Sequence, residues 1–222
     1  MDLSINYRVI GESWPDFWAG FTATVGLCAV GFAGALAVGI LACAMSMQRH
    51  AVVRRAAMVY VDLIRATPLL AQLYFLYFGL PVLGLTLPER VVGIVALSIN
   101  SGAYVAEIIR SGILGIPRGQ LEAAAASGMT YGQQMRLIIL PQALHPMVSP
   151  LIGQGIVLVK DSSLLSLISV LELTRVGQTL AQERFMPIEG LVTTAALYLL
   201  IYYGLKLLAA LWRRGQAQRG FA

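Results

Sequence analysis

Two adjacent charged residues interrupt an apolar stretch in the last third of the chain. Lys160 and Asp161 stand in VLVKDSSLLSL (157–167), and Ser162 follows them. A lysine can hold a carboxylate and an aspartate can hold an ammonium group, so this segment has the chemistry to bind an amino-acid zwitterion. Adjacent helical residues point about 100° apart, and we expect Lys160 to be the direct contact. A structural ion pair between helices is the alternative.

A second polar pair, Asn100 and Tyr104, lies in another apolar stretch. The two residues are four positions apart and therefore share one face of a helix. Asn100 falls near the middle of that stretch, at about the depth of Lys160. We expect the pair to form the opposite wall of the same binding site, although polar contact between helices explains Asn100 equally well.

Two further charge pairs, Asp62 with Arg65 and Glu107 with Arg110, lie nearer the ends of apolar stretches. Each pair has the three-residue spacing of an ion pair on one helix face, and that is the role we expect for both. No spacing typical of a metal site is present in the sequence, so no metal is predicted.

The sequence lacks the motifs of an energy-converting enzyme. The lysines are Lys160, followed by aspartate, and Lys206, followed by leucine, so the chain has no Walker A loop. It also has no nucleophile with a paired base. We therefore expect neither an enzyme nor a bound cofactor, and any ATP must be bound and hydrolysed by a partner.

The composition indicates a membrane protein. Of the 222 residues, 58% are hydrophobic and 12% are charged, whereas a soluble domain carries about 25% charged residues. The net charge of +5 could indicate nucleic acid, but the basic residues form no stripe with interleaved aromatic residues. They flank apolar stretches instead, which favours contact with membrane lipid and excludes nucleic acid as a partner.

Five apolar stretches are each long enough to cross a bilayer as a helix. They are Phe17–Met45, Met58–Leu80, Val91–Ile109, Pro146–Ile168 and Ile188–Trp212. The sequence thus predicts an all-α, polytopic protein with one domain over residues 1–222, and its second span is interrupted at Thr67-Pro68. Gly31, Ala35 and Gly39 form a stripe of small residues on the first span, suited either to intramolecular packing or to dimerisation.

The arginines predict the orientation. Nine lie on one side of the five spans and four on the other. The richer set is Arg49, Arg54, Arg55, Arg110, Arg118, Arg136, Arg213, Arg214 and Arg219. The positive-inside rule therefore predicts an N-terminus outside the cell, with the C-terminus and the long central loop (about 111–143) in the cytoplasm.

The sequence of the central loop predicts two short helices. A helix is expected from Arg118 to Ser127, with Gly128 in the φ > 0 conformation that ends it. Thr130 can cap a second helix, which is expected to stop before Pro141. An amphipathic helix at the membrane surface is the alternative for this pattern.

This loop, EAAAASGMTYGQQMRLIILPQA, resembles the EAA loop of ABC importer permeases. RATPLLAQLYFLYFGLP (65–81), INSGAYVAEIIRSGI (99–113) and KDSSL…ELTRVGQ (160–178) extend the resemblance to the polar amino-acid permeases of the histidine and glutamine type. It covers most of the chain after residue 60. The resemblance implies that the loop couples to an ATPase through Glu122, Ala123, Ala124 and Gly128, with Arg136 and Pro141 in its second half.

The resemblance also implies a function and its partners. The expected function is that of the permease subunit of an ATP-driven importer in the bacterial inner membrane. The expected partners are ABC ATPase subunits, an extracytoplasmic amino-acid-binding protein and a second permease, identical or similar. The alternative is an ion-coupled secondary carrier that uses Lys160 and Asp161, but such carriers usually show internal repeats, and none is apparent.

Overall fold

The computed structural model describes residues 6–217, which are largely helical. The helices are α1 (Tyr7–Glu12), α2 (Trp14–Ser46), α3 (Ala51–Ala66), α4 (Leu69–Val82), α5 (Glu89–Leu114), α6 (Arg118–Ala126), α7 (Tyr131–Ile168), α8 (Leu173–Glu183) and α9 (Pro187–Ala217). Helices α2, α5, α7 and α9 are each long and apolar enough to cross a membrane. The bent pair α3–α4 brings the total to as many as five, which confirms the predicted all-α, polytopic fold.

The stripe of small residues on α2 is covered by α5 of the same chain. A Cβ atom added to Gly31 would lie 3.3 Å from Cβ of Leu97, and one added to Gly39 would lie 2.5 Å from Cγ1 of Val105. The contact advances in the same direction along both helices, so α2 and α5 run parallel, as the first and third spans of an alternating topology do. Of the two roles predicted for the stripe, intramolecular packing is the one that this fold uses.

The predicted interruption of the second span is a sharp bend. Helices α3 and α4 meet at 107°, at Thr67 and Pro68. Pro68 has no N–H to continue α3 and disfavours helical geometry at the preceding residue, and Thr67 is extended. The carbonyl oxygens freed at the end of α3 accept hydrogen bonds from side chains, since Gln72 Nε2 donates to Ile64 O at 2.9 Å and Thr67 Oγ1 donates to Leu63 O at 2.9 Å.

The expectation that a helix stops before Pro141 is wrong, because α7 continues through this residue into the fourth span. A π-helical turn, Met135–Ile139, ends two residues before Pro141. In it, the N–H of Leu140 bonds to the carbonyl of Met135, five residues back. A wider turn leaves room for a proline ring that would clash in a regular α-helix. The fourth span is thus longer at its start than the predicted Pro146–Ile168.

Glu172 connects the segment between α7 and α9 by hydrogen bonds to α8 and α9. It is fully buried and caps α8: Oε1 accepts the N–H of Arg175 at 2.7 Å and Oε2 accepts that of Thr174 at 2.8 Å. The hydroxyl of Tyr198 on α9 also donates to Oε2, at 2.8 Å. Burial raises the pKa of Glu172 above its ordinary value, and these three donors oppose that rise.

Candidate substrate cavity and coupling segment

Three helices surround an open cavity of about 480 Å³. The end of α3 and the bend after it form one wall, α5 forms the second and the C-terminal half of α7 forms the third. The lining residues are Arg65, Ala66, Thr67, Pro68, Leu69, Asn100, Tyr104, Gln154, Val157 and Asp161. One cation, one anion and two carboxamides therefore border the same space.

Three of the five residues predicted from the sequence line this cavity, namely Asn100, Tyr104 and Asp161. Lys160 is exposed and lies outside the lining. Ser162 is fully buried, and its hydroxyl donates to the carbonyl of Val159 at 2.8 Å. The structure therefore separates the charged dipeptide: Asp161 borders the cavity, while Lys160, expected as the direct contact, points elsewhere because adjacent helical residues diverge by about 100°.

Arg65 supplies the positive charge of the cavity. Its guanidinium lies 5.4 Å from the ring centroid of Tyr104, within the range of a cation–π contact. Its Nη1 lies 3.8 Å from Oε2 of Glu107 on α5. Arg65 thus pairs with Glu107 across helices rather than with Asp62, whereas the expected pair of Glu107 with Arg110 is present at 2.7 and 2.9 Å.

The two carboxamides of the cavity are buried and partly engaged. Asn100 Nδ2 donates to Gln72 Oε1 at 3.0 Å, and Gln154 Nε2 donates to Ser101 Oγ at 3.3 Å. These bonds hold each amide in place through its NH₂ group and leave its carbonyl oxygen free to accept a bond from a ligand. Gln154 was not predicted from the sequence, although a glutamine among the apolar residues 151–159 is a signal that could have identified it.

The predicted coupling segment, residues 118–141, has the two-helix form expected from the sequence. Gly128 adopts φ +76° after α6, and the N–H of Met129 bonds to the carbonyl of Ala124 at 3.1 Å. This is the helix-ending bond pattern that a left-handed glycine permits. Thr130 caps the start of α7 through a reciprocal pair of bonds with Gln133, as predicted for that threonine.

The predicted coupling residues lie mainly on the surface of this segment. Glu122, Ala123, Gly128, Arg136 and Pro141 are exposed. The remaining one, Ala124, is buried and faces the rest of the molecule. A Cβ atom added to Gly128 would meet nothing within 4 Å among the described residues, so the space beside it is open to a partner.

One known protein family matches the part of the chain that contains both the cavity and the coupling segment. The family described as the binding-protein-dependent transport system inner membrane component matches residues 35–219. The chain belongs to this family. Membership confirms the resemblance to ABC importer permeases that was drawn from the loop and its flanking segments.

Similar permeases and transporters are known by sequence and by structure. The glutamine transport system permease protein GlnP of Escherichia coli K12 is 35% identical over 201 residues, which cover 90% of this chain and 92% of that protein. The L-cystine transport system permease protein TcyB of Bacillus subtilis strain 168 is 35% identical over 206 residues, covering 92% of this chain and 88% of that protein. The crystal structure of an amino acid ABC transporter with histidines superposes with a TM-score of 0.91 at 33% identity, covering 96% of this permease and 99% of that chain. The comparisons give no support to the alternative of an ion-coupled carrier.

Proposed function

We propose that this permease is the membrane-spanning subunit of an ATP-driven importer for polar amino acids of the glutamine type, and that the cavity beside Asp161 is its substrate site. The observation that carries the proposal is that Arg65, Asp161, Asn100 and Gln154 border one cavity. A polar amino acid carries the complementary groups, namely a carboxylate, an ammonium and a polar side chain. Opposite charges and carboxamides in one space are what recognition of such a molecule requires.

The charges define how the substrate binds. Asp161 accepts hydrogen bonds from the α-ammonium group, and Arg65 donates to the α-carboxylate. The free carbonyl oxygens of Asn100 and Gln154 accept from N–H groups of the substrate side chain. Since neither amide carries a charge, the site favours a neutral polar side chain over a charged one.

Lys160 and Ser162 flank Asp161 and have different roles in this proposal. A lysine within a spanning helix requires water or a counter-charge. We therefore assign the exposed Lys160 to the water-filled pathway, where it attracts the substrate carboxylate during passage. Ser162, buried against the carbonyl of Val159, fixes the turn of helix that carries Asp161.

The energy comes from partners. ABC ATPase subunits bind ATP and dock on the coupling segment at Glu122, Ala123, Gly128, Arg136 and Pro141. A binding protein delivers the amino acid on the outside, and a second permease, identical or similar, completes the transporter. The chain lies in a bacterial inner membrane with its N-terminus outside, an orientation that reporter fusions at residues 2 and 125 will test by giving opposite signals.

The test is uptake of L-glutamine into proteoliposomes that contain the permease, its ATPase subunits and its binding protein. Asp161→Asn keeps the size of the side chain and removes its charge. A hydrogen bond to a charged group contributes about 1.5–3 kcal/mol, so uptake at limiting substrate should fall about tenfold or more. Assembly with the ATPase should be unchanged, which gel filtration of the purified complex will report.

The matched control is Asp62→Asn. Asp62 is an exposed aspartate on α3, near the cavity but outside its lining, and its variant should transport like the parent. Equal uptake by the Asp161→Asn and Asp62→Asn variants would contradict the assignment of the cavity. Uptake that proceeds without any ATPase subunit would refute the whole function.

A further inference from the structure

A second polar cavity lies at the end of the molecule opposite the coupling segment. Helices α2 and α5 run parallel, and the coupling segment follows the end of α5, so the start of α2 is at the far end. There, the first turns of α2 and one side of α8 enclose a cavity of about 280 Å³. We call it the outer cavity. Its polar lining residues are Ser13, Asp16, Thr179, Glu183 and Arg184.

The hydroxyl group of Ser13 is the unusual feature of the outer cavity. Ser13 is only 3% exposed, and its Oγ is the one buried side-chain polar atom without a hydrogen-bond partner in the described part of the chain. It precedes α2 in the N-cap position but makes no capping bond. Since a buried hydroxyl without a partner destabilises the fold, this atom points to a ligand that completes it.

The charges of the outer cavity favour a cation. Asp16 and Glu183 both line it, and neither forms an ion pair within the described residues. The guanidinium of Arg184 is already engaged, since its Nη1 lies 3.7 Å from Oε2 of Glu12. Two unpaired carboxylates against one compensated cation leave the cavity with an excess of negative charge.

We propose that the outer cavity receives a lysine or arginine side chain of the extracytoplasmic protein that delivers the substrate. Such a side chain carries several N–H donors and no acceptor, which suits two carboxylates and the free Oγ of Ser13. Apolar lining from Leu180 covers the methylene stem beneath the charged head. The inference rests on the proposed function, because that function assigns this end of the molecule to the outside.

The test uses the complete transporter in lipid nanodiscs, titrated with its amino-acid-binding protein. The measured quantity is the concentration of binding protein that gives half-maximal stimulation of ATP hydrolysis. With Asp16→Asn and Glu183→Gln combined, it should rise at least tenfold at low salt, and its salt dependence should weaken because fewer charges attract the partner. A binding protein with glutamate in place of its docking lysine or arginine should recover affinity for an Asp16→Lys variant.

Ser13→Ala separates docking from folding. It removes an unpaired hydroxyl, so the thermal stability of the permease alone should stay the same or increase, while the half-stimulating concentration should rise about threefold or more. Glu89→Gln is the control, because Glu89 is an exposed carboxylate at the same end and outside the cavity. Its variant should stay within about twofold of the parent.

Three outcomes of these measurements would contradict the inference, and they differ in what they say of the proposed function. A parental half-stimulating concentration in both the double variant and Ser13→Ala would overturn the inference while leaving the proposed function intact. A shift shared equally by Glu89→Gln would also overturn it, since that result means long-range attraction without a docking pocket. Failure of any binding protein to stimulate the parent would refute the inference together with the proposed function.

Discussion

Gly128 gives the sharpest test of coupling, because the structure separates backbone strain from steric bulk at this residue. Its φ of +76° is unfavourable for a residue with a side chain, at a cost of about 1–2 kcal/mol. In the part of the chain that the structure describes, nothing lies within 4 Å of an added Cβ atom. Within one permease, Gly128→Val therefore introduces backbone strain without a clash at Cβ, and a docked partner adds the steric contact.

Gly84 provides a control with the same backbone geometry. It has φ +84° and an equally open Cβ position. The N–H of Leu85 bonds to the carbonyl of Leu80 at 3.1 Å, and the N–H of Gly84 bonds to that of Pro81 at 3.0 Å. The bonds around Gly128 repeat this pattern at 3.1 and 3.0 Å, so valine should strain both turns equally, while only Gly128 lies in the coupling segment.

The assay is the ratio of amino acid taken up to ATP hydrolysed in proteoliposomes. Gly128→Val should lower this ratio about tenfold, which corresponds to about 1.4 kcal/mol, while Gly84→Val lowers only thermal stability. Asparagine tolerates a positive φ and has nearly the bulk of valine. Gly128→Asn will thus show whether strain or contact with the ATPase causes the loss. If Gly128→Val and Gly84→Val transport equally well per ATP, Gly128 has no part in coupling.

Three further predictions concern packing, protonation and specificity. Gly39→Ala should lower the melting temperature, since overpacking against Val105 costs about 1–3 kcal/mol. Gly26→Ala is the control: a Cβ atom there meets nothing within 4 Å among the described residues, so alanine should stabilise α2 by up to about 1 kcal/mol. Equal melting temperatures of the two variants would contradict this. Because burial raises the pKa of Glu172, its contribution to stability is complete below the ordinary value of about 4.3 and is lost as the pH rises through the folded value. The melting temperature of the parent should therefore fall relative to that of Glu172→Gln as the pH rises above about 4.3, and parallel melting curves would show that the pKa of Glu172 is not raised by folding. Gln154→Glu should increase competition by L-lysine against L-glutamine uptake, and an unchanged competition profile would remove Gln154 from the site.

The coupling segment was predictable because short-range rules determine it. A helix former, a glycine with positive φ and a threonine cap act within a few residues of one another, and α6, Gly128 and Thr130 lie where those rules predict. The end expected before Pro141 was wrong for an equally local reason. A single π-helical turn, which has no sequence signature of its own, lets the helix continue past the proline ring.

The cavity was only partly predictable, because it depends on which helix faces meet. Periodicity put Asn100 and Tyr104 on one face, and both line the cavity. It could not decide between Lys160 and Asp161, since this choice depends on how α7 is rotated against its neighbours. The contact of Arg65 with Glu107 was not predicted for the same reason: the two residues are far apart in sequence, and their contact depends on how α3 packs against α5.

The connections between the helices link the cavity to the coupling segment mechanically. Asn100 and Tyr104 lie on α5, whose C-terminal end leads directly into the coupling segment, and Asp161 lies on α7, whose first turns belong to that segment. The third wall, at Arg65, belongs to α3, which has no direct connection to it. A displacement of the coupling segment therefore moves two walls of the cavity relative to the third. In the proposed function, a rigid-body shift of these helices that separates Asp161 from Arg65 would release a zwitterion held through both charges.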